Sequence, residues 1–218
     1  MNKKRIEFAC SHNHGRSPLA EAFAKEYFAS IDMPGYEVVS SGTRVEEINS
    51  MLEGTVPISE KDSRFILKKA LARNVVSDPA EVKRLLALDS LNPAEMTALQ
   101  GHGRYVLNRF VQEEHTYRTE AFKLFGLGDP KPTHDQTVFH PYSKLWLGMG
   151  SENVDFANDR LYTPQSRPVI DTLAGYALRT PGTAFNSAFG GTLADYLNMA
   201  EVIKNLTVMS MNRAMDEI

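Results

Sequence analysis

Residues 8–28, FACSHNHGRSPLAEAFAKEYF, contain the only cysteine of the chain, Cys10, which is followed six positions later by Arg16 and then by a Ser-Pro pair. Residues 5–11 form a short apolar run with β-branched and aromatic members, which is typical of a buried strand. From Pro18 onward the apolar residues recur every three or four positions, as they do on one face of a helix. The stretch therefore predicts a strand, a tight loop and a helix.

A second strand is predicted after this helix at residues 36–41, YEVVSS, and it ends at Gly42. Two strands joined through a helix are parallel, and the right-handed crossover puts the first loop at the carboxyl edge of the sheet, where α/β folds bind ligands. Further helices are predicted at residues 60–73, 80–88, 93–100 and 184–216, a third strand at 104–110 followed by a helix through Phe125, and a short strand at 168–171. The pattern indicates an α/β fold.

The composition is that of an ordinary globular protein. The chain has 218 residues, of which 42% are hydrophobic and 23% charged, so we expect a single domain spanning residues 1–218. The formal net charge of -3 gives no global reason to expect a nucleic acid or a membrane surface as partner. No apolar run approaches the ~20 residues that a spanning helix needs, and the basic start lacks the apolar segment of a signal peptide. We therefore expect a cytoplasmic protein, and the sequence does not predict its oligomeric state.

The loop after the first strand has the composition of an anion site. A thiolate on Cys10 would face the positive end of the following helix and its free backbone N–H groups, which favour negative charge. Arg16 can hold two oxygens of a bound oxyanion, and the hydroxyl of Ser17 can donate to the sulfur. Asn13 tolerates left-handed backbone angles, and Gly15 allows the anion to approach closely. We call residues 11–17 the phosphate loop.

Residues 8–23 resemble the signature of the low-molecular-weight protein tyrosine phosphatase family, in which Cys-x-Gly-Asn-x-Cys-Arg-Ser-Pro-x-Ala-Glu follows the first strand. The matching positions are Cys10, Asn13, Arg16, Ser17, Pro18, Ala20 and Glu21. Residues 38–43, VVSSGT, resemble the Ser-Ala-Gly-Thr segment of the family's second strand, and this match implies that Ser40 braces Asn13. The resemblance is specific over the first 43 residues, diffuse to residue 128 and poor beyond it.

The resemblance implies a three-layer sandwich with a central, mostly parallel four-stranded sheet flanked by helices and a phosphate-binding loop after strand 1. It implies that Cys10 attacks phosphorus to form an S-phosphocysteine intermediate, that Arg16 stabilises the transition state, and that no metal or other cofactor takes part. The substrate would be a phosphomonoester, either protein phosphotyrosine or a small molecule. The residues expected to bind phosphate are Ser11, His12, Asn13, His14, Gly15, Arg16 and Ser17.

The family's general acid is an aspartate on a later loop, and three residues compete for this role. Asp171 follows the strand-like run at 168–171 in the right order relative to the last helix, and it is the first choice. Asp129 is followed by proline, as in the family, but it directly follows a segment that aligns better with a strand ahead of the acid loop. Asp135 lies in the same polar stretch. The sequence leaves the choice open.

Several positions depart from the family pattern. His12 replaces a glycine, and His14 occupies the rim position that distinguishes tyrosine from arginine phosphatases, so both add titratable groups whose simplest arrangement points to solvent. No aromatic platform follows the second strand, and Tyr142, Trp146 and Tyr162 are the candidates to supply one. These departures concern the identity of the substrate rather than the chemistry at Cys10.

Two other functions compete with a phosphatase. An arsenate reductase of the thioredoxin-coupled kind passes a disulfide along additional cysteines, but Gly15 stands where many relatives have a second cysteine. A regulatory module could bind phosphate without turnover. The polar region at about residues 129–166 reads as an inserted loop region, and the spacing of its His134, Asp135 and His140 matches no established metal-ligand pattern.

Overall fold

The computed structural model describes residues 3–130, 142–163 and 167–218. Within these ranges the chain forms four strands and eight helices. In chain order they are β1 (Lys4–Cys10), α1 (Arg16–Ser30), β2 (Tyr36–Gly42), α2 (Val45–Glu53), α3 (Glu60–Ala72), α4 (Pro79–Ala87), α5 (Pro93–Phe125), β3 (Ser143–Gly148), α6 (Ser151–Arg160), β4 (Val169–Thr172), α7 (Leu173–Leu178) and α8 (Leu193–Glu217).

The four strands form one parallel sheet in the order β2-β1-β3-β4. Cys10, the last residue of β1, pairs with Gly42 of β2, and its neighbour Ala9 pairs with Gly148 of β3. The carboxyl ends of these three strands therefore meet at the start of the phosphate loop. The predicted α/β fold with a four-stranded parallel sheet is confirmed, and so is the position of the loop after strand 1.

Helices cover both faces of the sheet. Ile6, Phe8 and Cys10 belong to the main core, which includes buried residues of α1, α7 and α8. Ala9 faces the other side, where it packs with the buried Trp146 and with α6. This alternation along β1 is what a strand buried on both faces requires. The sheet is thus the middle layer of a three-layer sandwich.

The connection between β2 and β3 contains a helical unit with its own core. Its buried residues come from α2 to α5 and the segment before α3, namely Met51, Ile58, Ile66, Leu67, Ala70, Val82, Leu85, Leu99, Val106, Leu107 and Phe110. Helix α5 is 33 residues long and begins with a capping box between Asn92 and Glu95. The strand predicted at residues 104–110 is wrong, since these residues lie inside α5, and the helix predicted at 93–100 continues through residue 125.

The region at about residues 129–166, expected to be an inserted loop, contains β3 and α6. Strand β3 pairs with both β1 and β4, so this part of the region belongs to the sheet. His134, Asp135 and His140 lie outside the described residues. None of the helices in the described part of the chain has the length and apolar composition that crossing a bilayer requires.

Candidate active site

The phosphate loop turns tightly between β1 and α1, against the carboxyl end of β2. The backbone N–H of Thr43 donates to the carbonyl of Cys10 at 2.9 Å, and that of Arg44 donates to the carbonyl of Ser11 at 2.8 Å. A Cβ added to Gly42 would lie 2.8 Å from the nitrogen of Asn13, so glycine allows β2 to approach the loop. The loop is therefore held from the side of β2 by its backbone.

The thiol of Cys10 is buried at the base of the loop, beside the hydroxyl of Ser17. Ser17 Oγ lies 3.1 Å from Cys10 Sγ, 3.1 Å from Asn13 Oδ1 and 3.2 Å from the carbonyl oxygen of Ser41. A hydroxyl has one proton, so Ser17 donates to one of these acceptors at a time. Ser17 Oγ is thus within hydrogen-bond distance of the sulfur, which is the contact expected from the sequence.

Asn13 has a left-handed backbone conformation, with φ at 49°, as expected for its place in the loop. Its side-chain Nδ2 donates to the carbonyl oxygen of Ser40 at 3.3 Å. The hydroxyl of Ser40 instead donates to Glu21 Oε2 at 2.5 Å, on helix α1. Ser40 therefore braces Asn13 through its backbone, and its side chain ties β2 to α1.

Arg16 is the first residue of α1 and extends towards the loop that follows β3. Its Nη1 donates to the carbonyl of Met149 at 3.3 Å, and its Nη2 lies 4.0 Å from Glu152 Oε1. An arginine at a helix N-terminus is unfavourable to the helix dipole, and a bound anion would offset this cost. The guanidinium lines the cavity above Cys10, where a bound oxyanion would lie.

The two histidines of the loop are buried, which corrects the simplest reading that both point to solvent. His12 Nε2 lies 3.0 Å from Asn49 Oδ1, and the His14 Nε2 donates to the carbonyl of Val111 at 3.1 Å. Their rings are stacked with centroids 5.6 Å apart. Burial lowers the pKa of His12 although the ring donates a hydrogen bond to Asn49 Oδ1, so this ring is held neutral more strongly than an exposed histidine.

Three residues of helix α5, each about one turn from the next, support the phosphate loop from one face of the helix. Val111 accepts the His14 bond described above, and Arg118, fully buried, donates from Nη1 to the backbone carbonyl of His14 at 2.7 Å. Between them, Glu114 lies against Gly15. These positions differ by three or four residues, so they share a helix face. The helical unit between β2 and β3 thus contributes directly to the site.

The side chain of Glu114 occupies the space beside Gly15 in which the Cβ of any other residue would lie. A Cβ added to Gly15 would lie 2.3 Å from Glu114 Oε1 and 2.7 Å from its Cδ. The Glu114 side chain is enclosed by protein and is accessible only in part, from the cavity that it shares with Cys10. Burial raises the pKa of Glu114 to about 7, although the positive charges of Arg16 and Arg118 oppose this shift. The residue lies deep inside α5, more than 20 residues after the start of that helix.

The cavity above Cys10, here the Cys10 cavity, has a volume of about 280 Å³. Its floor is the phosphate loop with Cys10 and Arg16. Most of its remaining wall is apolar and comes from the helical unit, through Ile48, Met51, Ile58, Phe65, Ile66, Leu107 and Val111, together with Phe189 from the loop before α8. A cavity with a charged floor and apolar walls suits a ligand that has an anionic end and an apolar body.

None of the aspartates proposed from the sequence lines the described part of this cavity. Asp171 is buried in β4, where its Oδ1 accepts the backbone N–H of Thr172 at 2.7 Å and that of Gly182 at 3.0 Å. Asp129 is exposed after α5, in a groove that is lined by Pro18 and other residues of α1 and shares no lining residue with the Cys10 cavity. Asp135 lies outside the described residues. The structure therefore does not bring Asp171 or Asp129 to Cys10.

The loop between α7 and α8 closes one side of the Cys10 cavity but provides no carboxylate. No Asp or Glu occurs between Asp171 and Asp195. The loop is attached to α3, since Lys69 Nζ donates to the carbonyl of Phe189 at 2.6 Å. The Phe189 ring also packs edge-on against Phe110 of α5, with centroids 5.8 Å apart. The part of this loop that lines the cavity therefore offers no carboxyl group.

The aromatic residues considered as a substrate platform do not serve that purpose in the structure. Trp146 is completely buried in β3, and Tyr162 packs beside it under the sheet. Tyr142 is exposed before β3 and is not among the residues that line the Cys10 cavity. The aromatic residues that do line it are Phe65 and Phe189, which sequence analysis did not single out.

A double-mutant cycle should detect the contact between Gly15 and Glu114. Gly15→Ala is expected to lower the free energy of unfolding by about 1–3 kcal/mol, because the new methyl overlaps the Glu114 carboxylate. In a Glu114→Ala background the same change should cost much less, since the overlapping group is gone. Urea unfolding of the four proteins measures the coupling, and additive effects would contradict the contact.

The fold is that of the low-molecular-weight protein tyrosine phosphatases. The arginine phosphatase YwlE from Geobacillus stearothermophilus aligns with a TM-score of 0.55 at 16% identity, over 98% of this chain and 94% of that chain. A low-molecular-weight phosphotyrosine phosphatase from Vibrio cholerae O395 aligns with a TM-score of 0.56 at 11% identity, over 98% and 97% of the two chains. The corresponding protein from T. tengcongensis gives 0.54 at 13% identity, over 99% and 100%. No protein-family model matches the sequence, and no curated protein matches it.

Proposed function

We propose that this protein is a cysteine-dependent phosphatase that hydrolyses phosphomonoesters through an S-phosphocysteine intermediate. The observation that carries the proposal is the position of Cys10 Sγ, 3.1 Å from Ser17 Oγ at the base of a loop that leads into α1. Backbone N–H groups at the start of a helix and the guanidinium of Arg16 provide the donors that a bound phosphoryl group needs. This combination gives a nucleophile and an anion site in one loop.

The chemistry requires two displacements at phosphorus. In the first, the thiolate of Cys10 forms the S–P bond while the P–O bond to the leaving group breaks. In the second, a water oxygen attacks the same phosphorus, the S–P bond breaks, and its electron pair returns to sulfur as phosphate is released. Arg16 stabilises the charge on the equatorial oxygens in both steps, and Ser17 stabilises the departing thiolate.

Among phosphomonoesters, the Cys10 cavity favours esters of phenols, the class to which phosphotyrosine belongs. Its apolar walls, including Phe65, Ile66 and Leu107, complement an aromatic ring held above the phosphate loop. Phosphorylated protein or a small aryl phosphate is accordingly the proposed partner. Because a free catalytic thiol is oxidised readily outside a reducing compartment, we also propose that the protein is cytoplasmic.

The competing functions have weaker support. Cys10 is the single cysteine of the chain, so an intramolecular disulfide relay of the arsenate reductase kind has no second thiol. The absence of an evident general acid in the sequence favours a module that binds phosphate without turnover. In the structure, however, a carboxylate from α5 lies in the same cavity as Cys10. A module of this kind would bind inorganic phosphate without hydrolysing any phosphate ester.

The proposal is tested by steady-state rates on phenyl phosphate, p-nitrophenyl phosphate, a phosphotyrosine peptide, phosphoserine and phosphoarginine. Aryl esters should exceed phosphoserine and phosphoarginine in kcat/KM by roughly tenfold or more, because only they fill the apolar wall. Hydrolysis of phosphoarginine alone would move the substrate class to phosphoramidates. Binding of inorganic phosphate without hydrolysis of any compound would favour the module.

The apolar wall itself is tested by Phe65→Ala. The KM for phenyl phosphate should rise about three- to tenfold, because the ring loses an apolar contact worth about 1 kcal/mol. Inhibition by inorganic phosphate, which reaches only the floor, should stay unchanged. Tyr105→Ala is the matched control, since Tyr105 is equally exposed on α5 but does not line the Cys10 cavity. Equal effects of the two changes on KM would contradict this substrate assignment.

A further inference from the structure

We propose that Glu114, on helix α5, is the general acid and general base of this site. The proposal rests on the phosphatase function above and adds a catalytic residue from outside the phosphate loop and the loop before α8. It assigns to the helical unit a part in the chemistry itself.

A phosphatase of this kind needs a proton donor for the oxygen that leaves. The loop between α7 and α8 faces the cavity, but the chain has no Asp or Glu between Asp171 and Asp195. The carboxylate of Asp171 is engaged by two backbone N–H groups in the turn after β4. The described residues that line the Cys10 cavity include two carboxylates, Asp62 and Glu114.

Of these two, Glu114 is the one that lies against the phosphate loop. It lies against Gly15, immediately before Arg16 in the phosphate loop, and shares the cavity with Cys10. Asp62 lies in the first turn of α3, where its carboxylate accepts the Ser59 hydroxyl at 2.8 Å and its side chain is more than a third exposed. An exposed carboxylate already bound to a hydroxyl is a poor proton donor to a ligand inside the cavity.

The electrostatic environment of Glu114 suits proton transfer near neutral pH. Its pKa of about 7 means that both the carboxylic acid and the carboxylate are populated there, as a group that alternates between acid and base requires. Burial raises the pKa and the nearby arginines lower it. The titratable and charged groups around it are Cys10 at the end of β1, His12 and His14 in the loop, Arg16 of α1, Arg44 before α2, Asp62 and Lys69 of α3, His115 and Arg118 of α5, and Tyr196 of α8.

The proton balance follows from the two displacements. As the S–P bond forms and the P–O bond breaks, protonated Glu114 transfers its proton to the leaving oxygen, so a neutral alcohol departs. The resulting carboxylate then takes a proton from water while the water oxygen bonds to phosphorus and the S–P pair returns to Cys10. Glu114 ends protonated, and the net reaction is hydrolysis of one ester.

The test compares two aryl phosphates whose leaving groups differ in their need for a proton. With Glu114→Gln, kcat/KM for phenyl phosphate should fall on the order of 10²-fold, whereas p-nitrophenyl phosphate, whose phenolate leaves readily, should lose much less. The parent protein should lose activity towards phenyl phosphate as pH rises through about 7, because Glu114 is then deprotonated. This alkaline limb should be absent in Glu114→Gln.

Two measurements separate the chemical role of Glu114 from a structural one. The folded-state pKa of Glu114 lies above its unfolded value, so its contribution to stability is present at low pH and is lost as pH rises through about 7. Glu114→Gln should therefore be at least as stable as the parent protein at pH 8, by urea unfolding. Glu114→Asp, which keeps a carboxylate but withdraws it from Gly15, should retain the alkaline limb at a reduced rate. If Glu114→Gln fails to fold, the rates of Glu114→Asp on the two esters test the proposal instead. A larger loss on phenyl phosphate than on p-nitrophenyl phosphate would support a role of Glu114 in proton transfer, and equal losses would contradict it.

The controls distinguish this proposal from its alternatives. Glu120→Gln, on an exposed position of the same helix, should leave both rates unchanged. Asp171→Asn and Asp62→Asn should leave the ratio of the two rates unchanged, and a selective loss on phenyl phosphate with either would reassign the acid and overturn the proposal. A parent protein without turnover would overturn the proposed function together with this assignment. An active parent whose Glu114→Gln variant keeps both rates would overturn the role of Glu114 alone.

Discussion

Replacing Cys10 by serine is expected to reduce kcat for p-nitrophenyl phosphate on the order of 10⁴-fold or more, because the hydroxyl is a much weaker nucleophile than a thiolate. The substitution is nearly isosteric, and the donors of the phosphate loop and Arg16 are untouched. Binding of inorganic phosphate, measured by calorimetry, should therefore persist. A Cys10→Ser protein that binds phosphate and retains most of its turnover would show that Cys10 is not the nucleophile.

Arg16→Lys is expected to lower kcat on the order of 10²–10³-fold, although the positive charge is kept. A guanidinium presents parallel N–H donors that match two phosphoryl oxygens, whereas an ammonium is a flexible point charge. The carbonyl of Met149, 3.3 Å from Arg16 Nη1, also helps to fix the planar group, and lysine would not reproduce this arrangement.

Stopped assays with p-nitrophenyl phosphate measure the kcat of Arg16→Lys. A melting temperature equal to that of the parent protein excludes a general loss of structure. Arg84→Lys is a suitable control, because Arg84 pairs with Glu81 and Glu95 on an exposed surface away from the Cys10 cavity. Its rate should stay within about twofold of the parent. An unchanged kcat in Arg16→Lys would contradict a bidentate role for Arg16.

The first strand, the phosphate loop and the first helix could be predicted from sequence because their signals are local. A buried β-branched and aromatic run, a proline near the start of a helix and apolar residues at helical spacing all fall within residues 5–28. The left-handed angle at Asn13 and the position of Ser17 beside Cys10 follow from the same short stretch.

Helix α5 was mispredicted for a physical reason that the structure explains. Gly101 and Gly103 weaken the helical pattern and favour an end at residue 100, and the following RYVLNRF looks like a strand. Gly103 is needed where α5 meets α3, since an added Cβ would lie 2.9 Å from Ser63 Oγ. Tertiary packing thus overrides the local propensity.

The same misprediction concealed Glu114. Within a single helix, one face carries Leu107, Phe110, Val111, Glu114 and Arg118. On this face two charged residues follow an apolar stripe into the protein interior. A buried charge on such a face indicates a partner or a function. The contact with Gly15 spans almost a hundred residues of sequence, and no local pattern could predict it.

Transfer of the phosphoryl group through Cys10 requires a covalent intermediate, and rapid-quench mass spectrometry detects such an intermediate directly. The parent protein, mixed with p-nitrophenyl phosphate and quenched within the first turnover, should carry one phosphoryl group on the peptide that contains Cys10. Cys10→Ala should carry none. Release of p-nitrophenol by the parent protein, with no phosphoryl group on Cys10 at any time in the first turnover, would exclude Cys10 as the phosphoryl acceptor.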